Sequence, residues 1–305
     1  MQVAVLGLTK NGKLIVEKLL ADTHEVIVWD PAKEPLEAIR IEKAEYIVNQ
    51  KLVIVHTLEE LQNLLRKPKV FWCMQPAGEP TETTLSQIFQ LTESGDVVID
   101  GGDTNFKDTD RHFEEFEKKG VRFLGIGIVG GAHALESGAC LMIGGNPDGY
   151  QYVIPLLDSI ADPEGTHTYF GIGGAGHFVK MIHDGIEYGM TQAIAEGVGL
   201  LSKSGYSLDI GEVIDTWQEG SVVSSFLLDM VIDAVVKDPE FSQGTGQISV
   251  DPSAKWTVDL AKANNLPISV TEQAVEFRDR STYDKVVQDT IVAKAIQAIK
   301  KEIGG

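Results

Sequence analysis

Apolar residues occupy positions 3 to 6, Gly7-Leu8-Thr9-Lys10-Asn11-Gly12 follows, and Leu14, Val16, Leu19 and Leu20 then recur at helical spacing. A short apolar run suits a buried strand and a period near 3.6 an amphipathic helix, so residues 2 to 20 predict strand, turn, helix. The alternation continues. Strands are expected at Glu25 to Trp29, Lys69 to Met74, Asp96 to Asp100 and Arg122 to Ile126. Helices are expected at Thr83 to Leu91 and Asp108 to Lys119, and Thr57-Leu58-Glu59-Glu60 has the form of a capping box opening another. A glycine turn is read at Gly127 to Gly131. Apolar strands alternating with amphipathic helices predict a mostly parallel sheet covered on both faces. Ligands of such sheets lie at the carboxyl ends of the strands, which gathers Gln75, Asp103, Gly130 and Gly131 around one crevice.

The pattern changes near Asp162-Pro163-Glu164-Gly165. Beyond it the chain reads as helices alone: His177 to Ser202, Leu208 to Glu219, Val222 to Val236, Ser253 to Asn264, and two C-terminal patterns broken near Thr282. The expected organisation is an α/β dinucleotide-binding domain over residues 1–165 and an all-α domain over 166–305.

The first turn resembles a Rossmann dinucleotide site, because Asp30 ends the second strand at about the distance, roughly twenty residues, where an acid binds the adenosine ribose. Thr9 stands where the G-x-G-x-x-G fingerprint has glycine, so its Cβ narrows the approach to a pyrophosphate. Its hydroxyl, Lys10 and the helix N-terminus could still hold a phosphate. Asp30 could instead cap a helix beginning at Pro31. The coenzyme set is Gly7, Leu8, Thr9, Lys10, Asn11 and Asp30, with Met74, Gln75 and Asp103 from the sheet edge. An acid at Asp30 repels a 2′-phosphate and favours NAD over NADP.

Lys180, His183 and Glu187 lie in one helical stretch at steps of three, four and seven residues, which return to the same face. A base and an acid candidate there suggest proton-transfer chemistry, whereas the bland reading is a pair of solvated helix charges. The formal charge of -19, from 26 basic and 45 acidic residues, argues against nucleic-acid and anionic-membrane partners. It also requires specific cations in the pocket of any anionic substrate. Cys73 and Cys140 sit in apolar segments as small hydrophobes. No His-Glu-x-x-His motif occurs, so no metal is expected. The N-terminus lacks the pattern of a secretory signal and no apolar run reaches spanning length, which leads to an expected cytoplasmic location.

Four blocks carry a family resemblance: Met74-Gln75-Pro76-Ala77-Gly78-Glu79-Pro80, Val98-Ile99-Asp100-Gly101-Gly102-Asp103-Thr104, Cys140-Leu141-Met142-Ile143-Gly144-Gly145, and Gly173 through Gly189. By these the chain resembles the shorter bacterial 6-phosphogluconate dehydrogenases of the β-hydroxyacid dehydrogenase superfamily. The resemblance implies oxidative decarboxylation of a sugar acid in the pentose phosphate pathway, with Lys180 as base, Glu187 as acid and His183 orienting the substrate hydroxyl. It implies substrate contacts at Val129, Gly130, Gly131, Asp184, Tyr188 and Lys255, and a homodimer or higher homo-oligomer built on the helical domain. The chain departs from the family pattern at Asp103 and Asp184, where asparagine is usual, at Val129 for serine and at Ser224 for arginine. The tail Lys300 to Gly305 lacks the arginine and terminal histidine of family members. An ionised Asp184 touching Lys180 would favour the ammonium form. A less anionic 3-hydroxy acid as substrate, and coenzyme binding without turnover, are the alternatives.

Overall fold

The computed structural model describes residues 1–129, 135, 138–161, 163 and 165–304. The chain divides into two compact units, Met1–Lys180 and Met181–Gly305.

In the first unit the described residues form one eight-stranded sheet, ordered β3-β2-β1-β4-β5-β6-β7-β8. The strands are β1 Gln2–Leu6, β2 Glu25–Trp29, β3 Leu52–Ile54, β4 Val70–Cys73, β5 Val97–Asp100, β6 Arg122–Val129, β7 Cys140–Gly145 and β8 Thr166–Gly171. Pairing is parallel except between β6 and β7. Every residue of β4 and β5 is buried, as expected for central parallel strands whose faces are both covered. Val3, Val5, Trp72 and Ile99 belong to one apolar cluster and Ala4, Leu6, Phe71 and Val98 to another, so successive side chains supply alternate faces. Each buried Val, Leu, Ile or Phe side chain among them contributes about 1.5–3 kcal/mol.

Two expectations are corrected, and a third is met by a shorter element. β6 runs to Val129 instead of ending at Ile126, because Gly127, Ile128 and Val129 pair with Met142, Leu141 and Cys140 of the antiparallel β7. The capping box is followed by a helix, the short Leu61–Leu64, and Glu60 reaches back to accept from the N–H groups of His56 and Thr57 at 3.1 and 2.9 Å. Cys140 is half-buried, whereas Cys73 is buried and its thiol is pushed up by desolvation.

The composition break precedes β8, which pairs with β7, so the first unit extends past residue 165. The helix Ala175–Ser202 begins in the first unit and continues into the second. The second unit adds Ile210–Gln218, Phe226–Lys237, Pro252–Ala263, Ser269–Ser281, the single turn Lys285–Gln288 and Ile291–Ile303. Val198, Ile214, Val231 and Ile296 meet in its core. Among the described residues no helix is long and apolar enough to cross a membrane.

Candidate active site

The glycine turn after β1 is set by backbone crowding. Gly7 has φ +111°, and a Cβ there would stand 2.9 Å from the carbonyl carbon of Met74. A Cβ on Gly12 would lie 2.1 Å from the Gly7 oxygen, so the helix Lys10–Ala21 can approach β1 only with glycine at that position. These are the outer two roles of the dinucleotide fingerprint. Thr9, in the middle role, is the helix N-cap. Its Oγ1 accepts from Gly12 N at 3.1 Å and donates to Met74 O at 3.3 Å. The hydroxyl proton thus serves the turn, while Lys10 stands exposed at the helix N-terminus, where a phosphate could be held.

Asp30 is not a helix cap, since the following helix starts at Lys33 with Ala32 as its N-cap. Its Oδ2 accepts from Leu8 N at 2.7 Å and its Oδ1 from Ala32 N at 2.8 Å. One carboxylate therefore fastens the glycine turn to the end of β2, and each oxygen keeps a second lone pair for a ribose hydroxyl. Asn11 is half-buried in the first helical turn. Met74 and Gln75 are buried after β4, and the Gln75 Nε2 donor has no partner among the described residues. An orphaned donor beside a Gly7–Gly12 cradle with Asp30 at its far side fits a dinucleotide.

At the carboxyl end of β5, Gly102 N donates to Asp100 Oδ1 at 3.1 Å, and a Cβ on Gly101 would meet Trp72 Nε1 at 2.5 Å. This tight turn presents Asp103. Facing it, the start of the helix Ala175–Ser202 lies against β6 and β7 through glycines. A Cβ on Gly144 would be 2.5 Å from Gly176 N, and one on Gly125 would be 3.0 Å from His177 Nδ1. Gly127 gives way to Lys180 in the same manner, its virtual Cβ falling 2.5 Å from the lysine Cβ. Lys180 is only 7% exposed, and its Nζ lies 3.0 Å from Asp103 Oδ1. His177, a turn earlier, is buried; its Nδ1 is 2.7 Å from Thr109 Oγ1, and desolvation holds the imidazole below its usual range. Val129 is half-buried at the end of β6, while Gly130 and Gly131 lie outside the described residues.

In the second unit, His183, Asp184 and Glu187 bring one ligand-capable atom each within 4.8 Å of one another. His183 Nδ1 is 3.4 Å from Asp184 Oδ1, and Ser253 Oγ donates to Asp184 Oδ2 at 2.7 Å. Tyr188 accepts from Asp251 N at 2.6 Å and keeps its own proton for a ligand; burial pushes its phenol up to about 12. Lys255 pairs with Asp279 at 2.9 Å, both half-exposed.

Three residues absent from the sequence-derived set join this group. Arg278 is buried, its guanidinium 4.0 Å from the Tyr188 ring centroid, and burial lowers it to about 10, which leaves it cationic at neutral pH. Lys300 donates to Ser249 Oγ at 2.8 Å, and burial lowers its ammonium. Ser253 holds Asp184. Arg278 lies on the helix face whose neighbours Ala274, Val275 and Ser281 are buried.

Taken by unit, the first offers a dinucleotide cradle and a buried lysine. The second offers an acid, a histidine and an anchored arginine.

Residues 2–173 match the model of the NAD binding domain of 6-phosphogluconate dehydrogenase, and residues 176–302 match that enzyme's C-terminal domain. The chain is 32% identical over 305 residues to YqeC of Bacillus subtilis, which covers 100% of this chain and 98% of that one. It is 31% identical over 285 residues to the NAD(+)-dependent, decarboxylating 6-phosphogluconate dehydrogenase of Haloferax volcanii, covering 93% and 92%. The solved 6-phosphogluconate dehydrogenase of Plasmodium falciparum superposes with a TM-score of 0.85 at 26% identity, over 94% of this chain and 63% of that one.

Proposed function

Since the chain belongs to the 6-phosphogluconate dehydrogenase family, we propose that it oxidises and decarboxylates 6-phosphogluconate to ribulose 5-phosphate with NAD as oxidant. The observation that carries the reading is the seat of Lys180, a lysine laid against Gly127 with 7% exposure at the carboxyl edge of a nucleotide-binding sheet. A merely solvated helix charge has no need of such a seat.

Bound nicotinamide supplies the hydride acceptor. Lys180 takes the substrate hydroxyl proton while the C–H electron pair departs as hydride and the O–H pair closes the carbonyl. The resulting β-keto acid loses carbon dioxide, the C–C pair passing into an enediol as the carbonyl oxygen takes the proton back from Lys180. Glu187 gives its proton to that carbon, and His183 orients the hydroxyl. Tyr188 and Arg278 bind the phosphate, joined by Lys255, whose exposed pair with Asp279 is weak enough to yield to a dianion. Asp30 supports NAD over NADP by ribose hydroxyl contact and by repulsion of a 2′-phosphate. The helical unit carries the exposed apolar residues Leu200, Val236, Val270 and Val286, which a second copy would cover.

Coenzyme reduction with stoichiometric carbon dioxide release on 6-phosphogluconate is expected, faster with NAD than NADP. Lys180→Met should lower kcat by about 10²–10⁴. Undiminished turnover in that variant would remove Lys180 from the mechanism. A second reading, a less anionic 3-hydroxy acid as substrate, is favoured by one observation: the carboxylates of Asp103 and Asp279 already neutralise two of the available lysines. A substrate panel in which a monoanion exceeds 6-phosphogluconate in kcat/KM would select it.

A further inference from the structure

We propose that Asp103 is a positioning residue that sets the pH at which Lys180 becomes a base, a role that rests on the function proposed above for Lys180. The turn that presents Asp103 is rigid for reasons unconnected with any ligand. Asp100 is fully buried, its Oδ1 accepts from Gly102 N at 3.1 Å, and a Cβ on Gly102 would collide with Gln75 O at 2.9 Å. The lysine is held equally firmly, because the Gly127 seat leaves its stem little freedom. Two fixed groups therefore meet with Oδ1 3.0 Å from Nζ. An asparagine at this position could accept one hydrogen bond from an ammonium but would bring no charge. An aspartate stabilises the ammonium over the amine, and only the amine can take a hydroxyl proton.

Other charged groups bear on the same lysine. On its own helix His177 precedes it by one turn and His183 and Asp184 follow; from the sheet side Asp100 stands at the end of β5, and Gly127 of β6 lies against the lysine stem. His177 is held neutral by burial, so it adds little charge at neutral pH. Asp103 is a carboxylate at ion-pair distance from it. Its side chain is 59% exposed, so water screens part of its effect and the expected shift is modest.

The test is a titration of Lys180 that needs no substrate. Lysine 13Cε resonances are followed against pH, with Lys180 identified by its loss in Lys180→Arg. In Asp103→Asn the Lys180 midpoint should fall by about one pH unit, and in Asp103→Glu it should stay near the starting value. With 6-phosphogluconate and NAD, the acidic limb of kcat/KM should move down by the same amount, giving roughly a tenfold gain on that limb. An unmoved midpoint in Asp103→Asn, with a raised KM for NAD, would reduce Asp103 to a coenzyme contact and overturn the proposal. Should Asp103→Asn fold poorly, Asp103→Ser removes the same charge, with the same two outcomes. A shifted midpoint in a protein inert toward 6-phosphogluconate would uphold the role of Asp103 and reject the substrate.

Discussion

Gly127 is a strand residue whose missing side chain makes room for another residue's stem. Placing a Cβ there would bring it 2.5 Å from the Lys180 Cβ, a distance that only movement of the helix or the strand can relieve. Gly127→Ala is therefore expected to destabilise the protein by about 1–3 kcal/mol in denaturant titration. It should also lower kcat more than it alters the Kd of NAD, since the lysine moves and the Gly7 cradle does not; an unchanged kcat would deny Lys180 its seat. At this scale the sequence was legible where spacing carries chemistry. Lys180, His183 and Glu187 follow from steps of three and four residues on a helix. Arg278 was not legible, because one arginine beside Arg280 in a polar helix looks like its neighbour until burial separates them. Gly127 misled for a related reason: glycine marks a turn in most strand patterns, and here it marks a close approach.

Among the elements, the helix Lys10–Ala21 shows most clearly how a departure from a motif is accommodated. Thr9 places a Cβ where the dinucleotide fingerprint has glycine, and its hydroxyl caps the helix through Gly12 N. Thr9→Gly should cost only a few tenths of a kcal/mol in stability, because glycine is a tolerated N-cap, while the Kd for NAD falls. Thr9→Ala keeps the Cβ and loses the cap, so it should cost about 1 kcal/mol without tightening NAD. Calorimetric titration of both variants separates the two effects, and equal NAD affinities for them would show that the Cβ is no obstacle. The central strands were readable as apolar runs. β8 was missed because Thr166-His167-Thr168-Tyr169 alternates exposed with half-buried positions at a sheet edge, where the apolar signal is weakest. That one strand explains why the compositional break precedes the end of the first unit.

For the molecule as a whole, charge and buried histidines govern the response to solution conditions. A net charge of -19 opposes the approach of a phosphorylated carboxylate, and the Debye length shrinks to about 10 Å at 0.1 M salt. KM for 6-phosphogluconate should therefore fall between low and moderate ionic strength. A KM that rises throughout would mean that the local cations outweigh the global field. His24 and His177 are both held below the ordinary 6.5, chiefly by burial. Below that pH the unfolded chain binds protons that the folded chain refuses, so stability is full above about 6.5 and declines as pH falls. Tm should drop between pH 7.5 and 5.5, and His177→Asn should flatten that dependence. The doubly wound alternation and the turn to an all-helical pattern were both visible in the sequence, since they rest on periodicity. The placement of individual cations was not, since it rests on packing between segments distant along the chain.

The two bonds of Asp30 have a consequence for how the protein can evolve. The carboxylate that would discriminate between coenzymes also accepts from Leu8 N and Ala32 N, stitching the glycine turn to the end of β2. A neutral replacement that welcomes a 2′-phosphate leaves at least one of those N–H groups to find another acceptor. Coenzyme choice and the integrity of the first turn are thus inherited together, and a lineage seeking the other coenzyme must rebuild the turn before, or while, it gives up the acid.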